Sequence, residues 1–255
     1  MRARSFVREF TRSAVATCAL VIVVLAIAGA TVAPVGSTRI DGASAQGALT
    51  SLLQATGSSL GTAALATIVA FALGTTLGIL AAIAGPPFES ALFRAVEIEL
   101  CIPGLLLAMA AAVAVGDRLS SPVPILAFAQ WPAFAQAILA AHALSRGRGY
   151  VAASRALCLS SSRIVLDQVV PNGLTLLVAV AIAELGVALA YETTLGLIGV
   201  AGASPHSLGA QIRNGGALAF AASAKSCAAA LISLALMISL RVLSRRMLDV
   251  QQAHS

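Results

Sequence analysis

Residues 52–84, LLQATGSSLGTAALATIVAFALGTTLGILAAIA, run from Leu52 to Ala84 without one charged side chain. A helix needs about 20 apolar residues to cross a bilayer, so this run is long enough for a tilted span. Gly57 and Gly61, and again Gly74 and Gly78, stand four residues apart. That spacing lets helix backbones approach closely. Gly85-Pro86-Pro87 ends the run, because two prolines and a glycine break the helical ladder. The rest of the chain is of the same kind. Of its 255 residues 59% are hydrophobic and only 10% charged, with a mean hydropathy of +0.95. A soluble domain is about a quarter charged. The chain is therefore expected to be an all-α integral membrane protein. An ordinary soluble enzyme, a disordered chain and a secreted disulfide scaffold are excluded.

Working outward from this run, residues 1–12 form a basic tail with Arg2, Arg4, Arg8 and Arg12, and residues 13–34 a first span. The apolar part exceeds the roughly 7–15 residues of a signal-peptide core, which favours a retained anchor over cleavage near Ala28-Gly29-Ala30. Residues 35–51 are polar and Gly/Ser-rich, an expected extracytoplasmic loop, and residues 52–243 carry five more spans. The third span starts amphipathically at Phe88 and kinks at Pro103. The fourth covers Ile125–Leu144 and contains Trp131-Pro132, the fifth Gly173–Leu195 and the sixth Leu218–Leu240. Residues 244–255 form a tail. With the N-terminus inside, twelve of the sixteen basic residues fall on the inner side, leaving Arg39, Arg118, Arg213 and Lys225 outside. The expectation is thus six transmembrane helices with both termini cytoplasmic.

The same rule accounts for the net charge of +6 without nucleic acid as a partner, since aromatics are only 4% and no basic stripe is interleaved with them. Cys18, Cys101, Cys158 and Cys227 form no CxxC pair and lie at no metal-ligand spacing from His142, His206 or His254, so neither disulfide nor metal is expected. Lys225 is the sole lysine and follows Ala224, so the chain has no GK[ST] phosphate loop; HExxH and GxSxG are also missing. No catalytic residue is assigned. The acids inside apolar runs remain. A carboxylate at bilayer depth costs several kcal/mol unless paired, protonated or facing water. Glu97, Glu184 and Glu192 are therefore candidates for lining a translocation path, with helix packing or ion pairing (Arg94 for Glu97 and Glu99) as the structural alternative.

Residues 145–172 change character: Arg146, Arg148, Arg155 and Arg163 cluster there with Ser160-Ser161-Ser162. Helical spacing places Val151 and Leu157 toward one side and the arginines nearer the other. Such a segment fits a groove on a cytoplasmic partner. Tyr150-Val151-Ala152-Ala153-Ser154-Arg155-Ala156-Leu157-Cys158, followed by Arg163-Ile164-Val165-Leu166 and Val169-Val170-Pro171-Asn172, resembles the cytoplasmic "EAA" loop of ABC importer permeases. The subclass it resembles is the dipeptide/oligopeptide/nickel permease, the second of two permease chains. Phe93-Arg94-Ala95-Val96-Glu97-Ile98 with Pro103-Gly104-Leu105-Leu106-Leu107-Ala108 is similar to its third helix, and Trp131-Pro132-Ala133-Phe134-Ala135 to its fourth. Leu189-Ala190-Tyr191-Glu192 with Leu195-Gly196-Leu197-Ile198-Gly199 is similar to its fifth.

The resemblance implies a type I ABC importer permease in a bacterial inner membrane. Its partners would be a second permease chain in a heterodimer, two ATP-binding subunits and an extracytoplasmic solute-binding protein. ATP and magnesium would sit on the partners, so this chain itself holds no cofactor. Tyr150, Ala152, Ala153, Ser154, Arg155, Leu157, Cys158 and Pro171 would couple to the ATPase, and the cargo would be a di- or oligopeptide or a similar small solute. The sequence departs from the family pattern where the acidic residue falls on Ala152, the glycine on Cys158, an isoleucine on Gln168 and a leucine on Val170. Losing the carboxylate removes a contact of about 1.5–3 kcal/mol, and losing the glycine puts a side chain into a turn. Weaker coupling, or compensation by Arg146 and Arg148, is the expectation. The rival from another class is a proton-coupled secondary transporter using Glu184 or Glu192. It predicts inverted repeats, and no convincing repeat is found.

Overall fold

The computed structural model describes residues 45–116, 121–147, 154, 156–199, 206–216 and 224–253. The expected first span at residues 13–34 lies outside them. Every described element is helical: α1 (Ala45–Ala84), α2 (Pro86–Leu100), α3 (Gly104–Val115), α4 (Val123–Arg146), α5 (Ser161–Ile198), α6 (Leu208–Gly216) and α7 (Ala224–Ala253). Four of these, α1, α4, α5 and α7, are long and apolar enough to cross a membrane, and α2 with α3 makes a fifth if the bent pair is one span.

α1 is apolar all round, so hydrophobicity alone does not orient it. Size does. Ala55, Ala63, Ala66 and Ala70 are fully buried, whereas Leu65 and Ile68 are more than half exposed. Small residues thus face the neighbouring helices and large ones the surface that lipid would cover, as expected where hydrocarbon is as apolar as leucine. Thr56 and Thr67 donate their hydroxyls to the carbonyls of Leu52 and Ala63, both at 2.8 Å, which satisfies them inside the apolar run. The most extensive packing is α1 on α4, with α5 against both and α7 against α5. A β-carbon at Gly74 would collide with the Trp131 carbonyl oxygen and lie 2.7 Å from Phe134 Cβ, and one at Gly78 would lie 2.8 Å from Ile138 Cβ. The second glycine pair therefore seats α4. Gly61 of the first pair does not act this way, since nothing lies within 4 Å of a β-carbon there.

Three helix boundaries differ from the sequence expectation. α1 begins at Ala45, inside the residues assigned to a loop at 35–51. α5 begins at Ser161, twelve residues before the expected Gly173. α7 continues through Arg241, Arg245 and Arg246 to Ala253, so most of the 244–255 tail is helix. In each case a polar or charged end extends a membrane helix past its apolar stretch, which hydropathy cannot register. The break near Pro103 is as expected: α2 and α3 meet at 85°. Pro103 has φ −54° and ψ 122°, extended backbone, and its carbonyl accepts from Leu107 N–H at 3.1 Å to start α3.

Candidate functional site

Of the residues expected to couple to an ATPase, Tyr150, Ala152, Ala153 and Arg155 lie outside the described residues. Ser154, Leu157, Cys158 and Pro171 are placed. Ser154 is buried, and its hydroxyl accepts from Gln168 Nε2 at 2.8 Å while its carbonyl accepts from Leu159 N–H at 3.2 Å. The chain then turns at Cys158, whose φ of +56° is left-handed and unique among described non-glycine residues. The turn keeps a conformation suited to glycine although a cysteine occupies it, at a cost of about 1–2 kcal/mol. Leu157, immediately before, is 75% exposed. Ser160 is extended and its carbonyl accepts from Ile164 N–H at 3.1 Å, opening α5.

The 145–172 segment, read from the sequence as a loop of helical pieces, ends in the first turns of α5, and Pro171 belongs to that helix. It stands inside α5, directly after a π-turn at Val165–Val169. A proline in a helix clashes with the carbonyl four residues earlier, here Asp167. Widening of the helix just before it relieves that clash.

Sequence analysis did not pair Glu89 with Arg146, yet their side chains form an ion pair, with His142 Nδ1 at 3.7 Å from Glu89 Oε1. This ties the start of α2 to the end of α4. Because the Arg146 side chain is 39% exposed, the pair is worth at most about 1 kcal/mol. Its value is positional. Nothing local signals it, since the partners lie 57 residues apart. Beside it a cleft of about 540 Å³ opens between α2 and α4, lined by Phe93, Arg94, Glu97, Gln136 and Leu139 among others. Arg94 and Glu97 are both exposed, and among the described residues neither has an ion-pair partner. The expected Arg94 pairing with Glu97 or Glu99 is not formed.

The other candidate acids are placed differently. Glu192 is 1% exposed, where α1, α5 and the start of α6 meet. The hydroxyls of Ser59 and Ser207 face its carboxylate, although neither closes a bond of full hydrogen-bond geometry onto it. Ser59 Oγ accepts from Leu208 N–H at 3.0 Å, and Ser207 Oγ from Ala210 N–H at 3.2 Å, so the acid lies behind two hydroxyls that cap α6. The helices can meet there because Gly196 and Gly209 leave room: a β-carbon at Gly209 would strike the Thr193 carbonyl oxygen. Glu184 sits in the middle of α5, its main-chain carbonyl accepting from Gln130 Nε2 at 2.8 Å and its carboxylate within electrostatic reach of Arg241 on α7. Glu97 lies in the lining of the α2/α4 cleft.

Comparison with known proteins gives this arrangement a family. The family described as binding-protein-dependent transport system inner membrane component matches residues 74–249, more than half of the chain. Dipeptide transport system permease protein DppC of Alkalihalophilus pseudofirmus is 26% identical over 136 residues, 53% of this chain and 45% of that protein. Probable D,D-dipeptide transport system permease protein DdpC of Escherichia coli is 29% identical over 148 residues, 58% of this chain and 50% of that one. The chain spans about half the length of the curated relatives it matches. Among solved structures, an inward-facing conformation of the MetNI methionine ABC transporter is similar in fold, with a TM-score of 0.62, 20% identity, and coverage of 78% of this chain and 95% of that one. The chain belongs to the family of binding-protein-dependent transport system inner membrane components.

Proposed function

We propose that the chain is the permease component of an ATP-driven importer of di- or oligopeptides, forming half of a translocation path in a bacterial inner membrane. The relatives' names motivate the cargo. A second permease chain, two ATP-binding subunits and an external solute-binding protein complete the assembly, with ATP and magnesium on those partners and no catalytic residue on this chain. The full count is six spans with both termini in the cytoplasm.

The observation that carries this reading is the segment Ser154–Ser160. It presents exposed Leu157 on a turn fixed by Cys158 and braced to α5 through Ser154 and Gln168. A short apolar knob on a braced turn suits a groove on a cytoplasmic partner. ATP-driven closure of the partners would move the turn, and the continuous helix α5 would carry that movement to the spans. The test is capture of an ATPase by the detergent-solubilised chain from its native host, with and without Ala153 and Leu157 changed to Asp. Capture by the native chain and loss with the double variant supports coupling through the segment. If no ATPase is retained by either, the importer reading falls and the proton-driven alternative takes its place.

A further inference from the structure

The α2/α4 cleft carries four charged side chains, of which Glu89 and Arg146 neutralise each other. That leaves one cation and one anion, Arg94 and Glu97, exposed and, among the described residues, without an ion-pair partner. They stand three residues apart, so their α-carbons are offset by about 4.5 Å along one face of α2. The same lining includes apolar Phe93 and Leu139 and the Gln136 amide. Its volume of about 540 Å³ lies in the range of small-ligand sites, roughly 300–1,000 Å³.

A lone anion in this cleft would meet Glu97, a lone cation would meet Arg94, and an apolar chain would desolvate both charges without compensation. A ligand that satisfies all of it is a zwitterion whose opposite charges are several ångströms apart, with apolar bulk and an amide between them. In an extended dipeptide the termini are about 7 Å apart, two residues of chain. We infer that this cleft is a transit site for a zwitterionic dipeptide, Arg94 receiving the terminal carboxylate and Glu97 the terminal ammonium. The inference rests on the peptide-importer reading and adds where the chain itself recognises its cargo. Arginine suits the role because its guanidinium donates two parallel hydrogen bonds to a carboxylate. A phosphatidylethanolamine headgroup shares the zwitterionic chemistry and is the competing occupant.

The test is equilibrium dialysis of radiolabelled alanyl-phenylalanine against the full chain, purified with its native partners in nanodiscs of phosphatidylglycerol. Capping either terminus, as the N-acetyl peptide or the peptide amide, is expected to weaken binding about tenfold, one charge contact each. Arg94→Gln should abolish the penalty for amidation and keep that for acetylation; Glu97→Gln should do the reverse. Arg94→Lys, which keeps the charge, should restore most of the binding and so separates loss of the contact from loss of the fold. Absence of binding by the native complex overturns the assignment, as do equal affinities for capped and free peptides. Displacement of the dipeptide by phosphatidylethanolamine in the discs assigns the cleft to lipid and overturns it as well. ATPase capture without dipeptide binding sinks the cleft alone, whereas failure to capture an ATPase sinks the importer reading and with it the transit role of the cleft.

Discussion

Gln168 Nε2 donates to Ser154 Oγ at 2.8 Å, bridging the first turns of α5 to the residue that opens the turn at Cys158. The two residues lie 14 positions apart, so the bond joins the turn to α5. Ser154 is buried, and among the described residues Gln168 Oε1 is buried without a partner. Ser154→Ala would strand the amide donor as well, at about 1–3 kcal/mol. Faster amide exchange around Leu157–Ser160 is the expected result. Gln168→Ile, by contrast, removes the buried unpaired oxygen along with the bond and should be close to neutral in thermal unfolding in detergent.

Cys158 gives a prediction of the opposite sign. At φ +56° a glycine is unstrained, so Cys158→Gly should stabilise the turn by about 1 kcal/mol, provided the extra freedom in the unfolded chain does not cancel it. Cys158→Val should lose more than that, because a β-branched residue tolerates the left-handed region poorly. ATP-driven uptake measured for the three proteins should rank glycine, cysteine, valine.

The two glycine pairs of α1 separate packing within the chain from what lies outside it. Gly74→Ala forces its methyl into the Trp131 carbonyl and Phe134, and overpacking of this kind costs about 1–3 kcal/mol. Gly61→Ala meets nothing within 4 Å and should leave the melting temperature of the isolated chain unchanged or slightly raised. Unfolding of the two variants in the same detergent checks the contrast.

At the junction of α1, α5 and α6, Ser207→Ala removes the single hydroxyl that both caps Ala210 N–H and faces Glu192. A loss of about 1 kcal/mol, confined to α6, is expected. Hydrogen exchange should accelerate over Leu208–Gly216 and hardly elsewhere. Uniform acceleration across the chain would instead make this cluster part of the global core.

Glu184 separates the two classes of transporter. Its main-chain carbonyl is held by Gln130 and its carboxylate is within reach of Arg241, an arrangement that positions helices without requiring proton transfer. Glu184→Gln should therefore leave ATP-driven uptake near the native rate. Complete loss of uptake, with the variant still folded, would point to a proton relay.

The membrane class, the order of the described spans and the break at Pro103 were legible in the residues alone, because each is a local property. A charge-free run of sufficient length must leave water, and a proline without an N–H must interrupt its ladder. The turn at Cys158 was signalled only by the family resemblance, whose glycine falls there; its left-handed backbone is a finding of the structure. The extent of α5 was not legible: Arg163, Asp167 and Ser160–Ser162 read as loop, yet the first polar turns of a membrane helix are as helical as its apolar centre. Nor was the pairing of Glu89 with Arg146, the burial of Glu192 behind Ser59 and Ser207, or the difference between Gly61 and Gly74. These depend on how each helix is rotated about its axis and which neighbour it meets. A helix that is apolar on every side carries no stripe to fix that rotation. The packing of small side chains against α4 and α5 sets it, so tertiary structure alone decided which charges stayed free in the cleft and which were spent on holding the helices together.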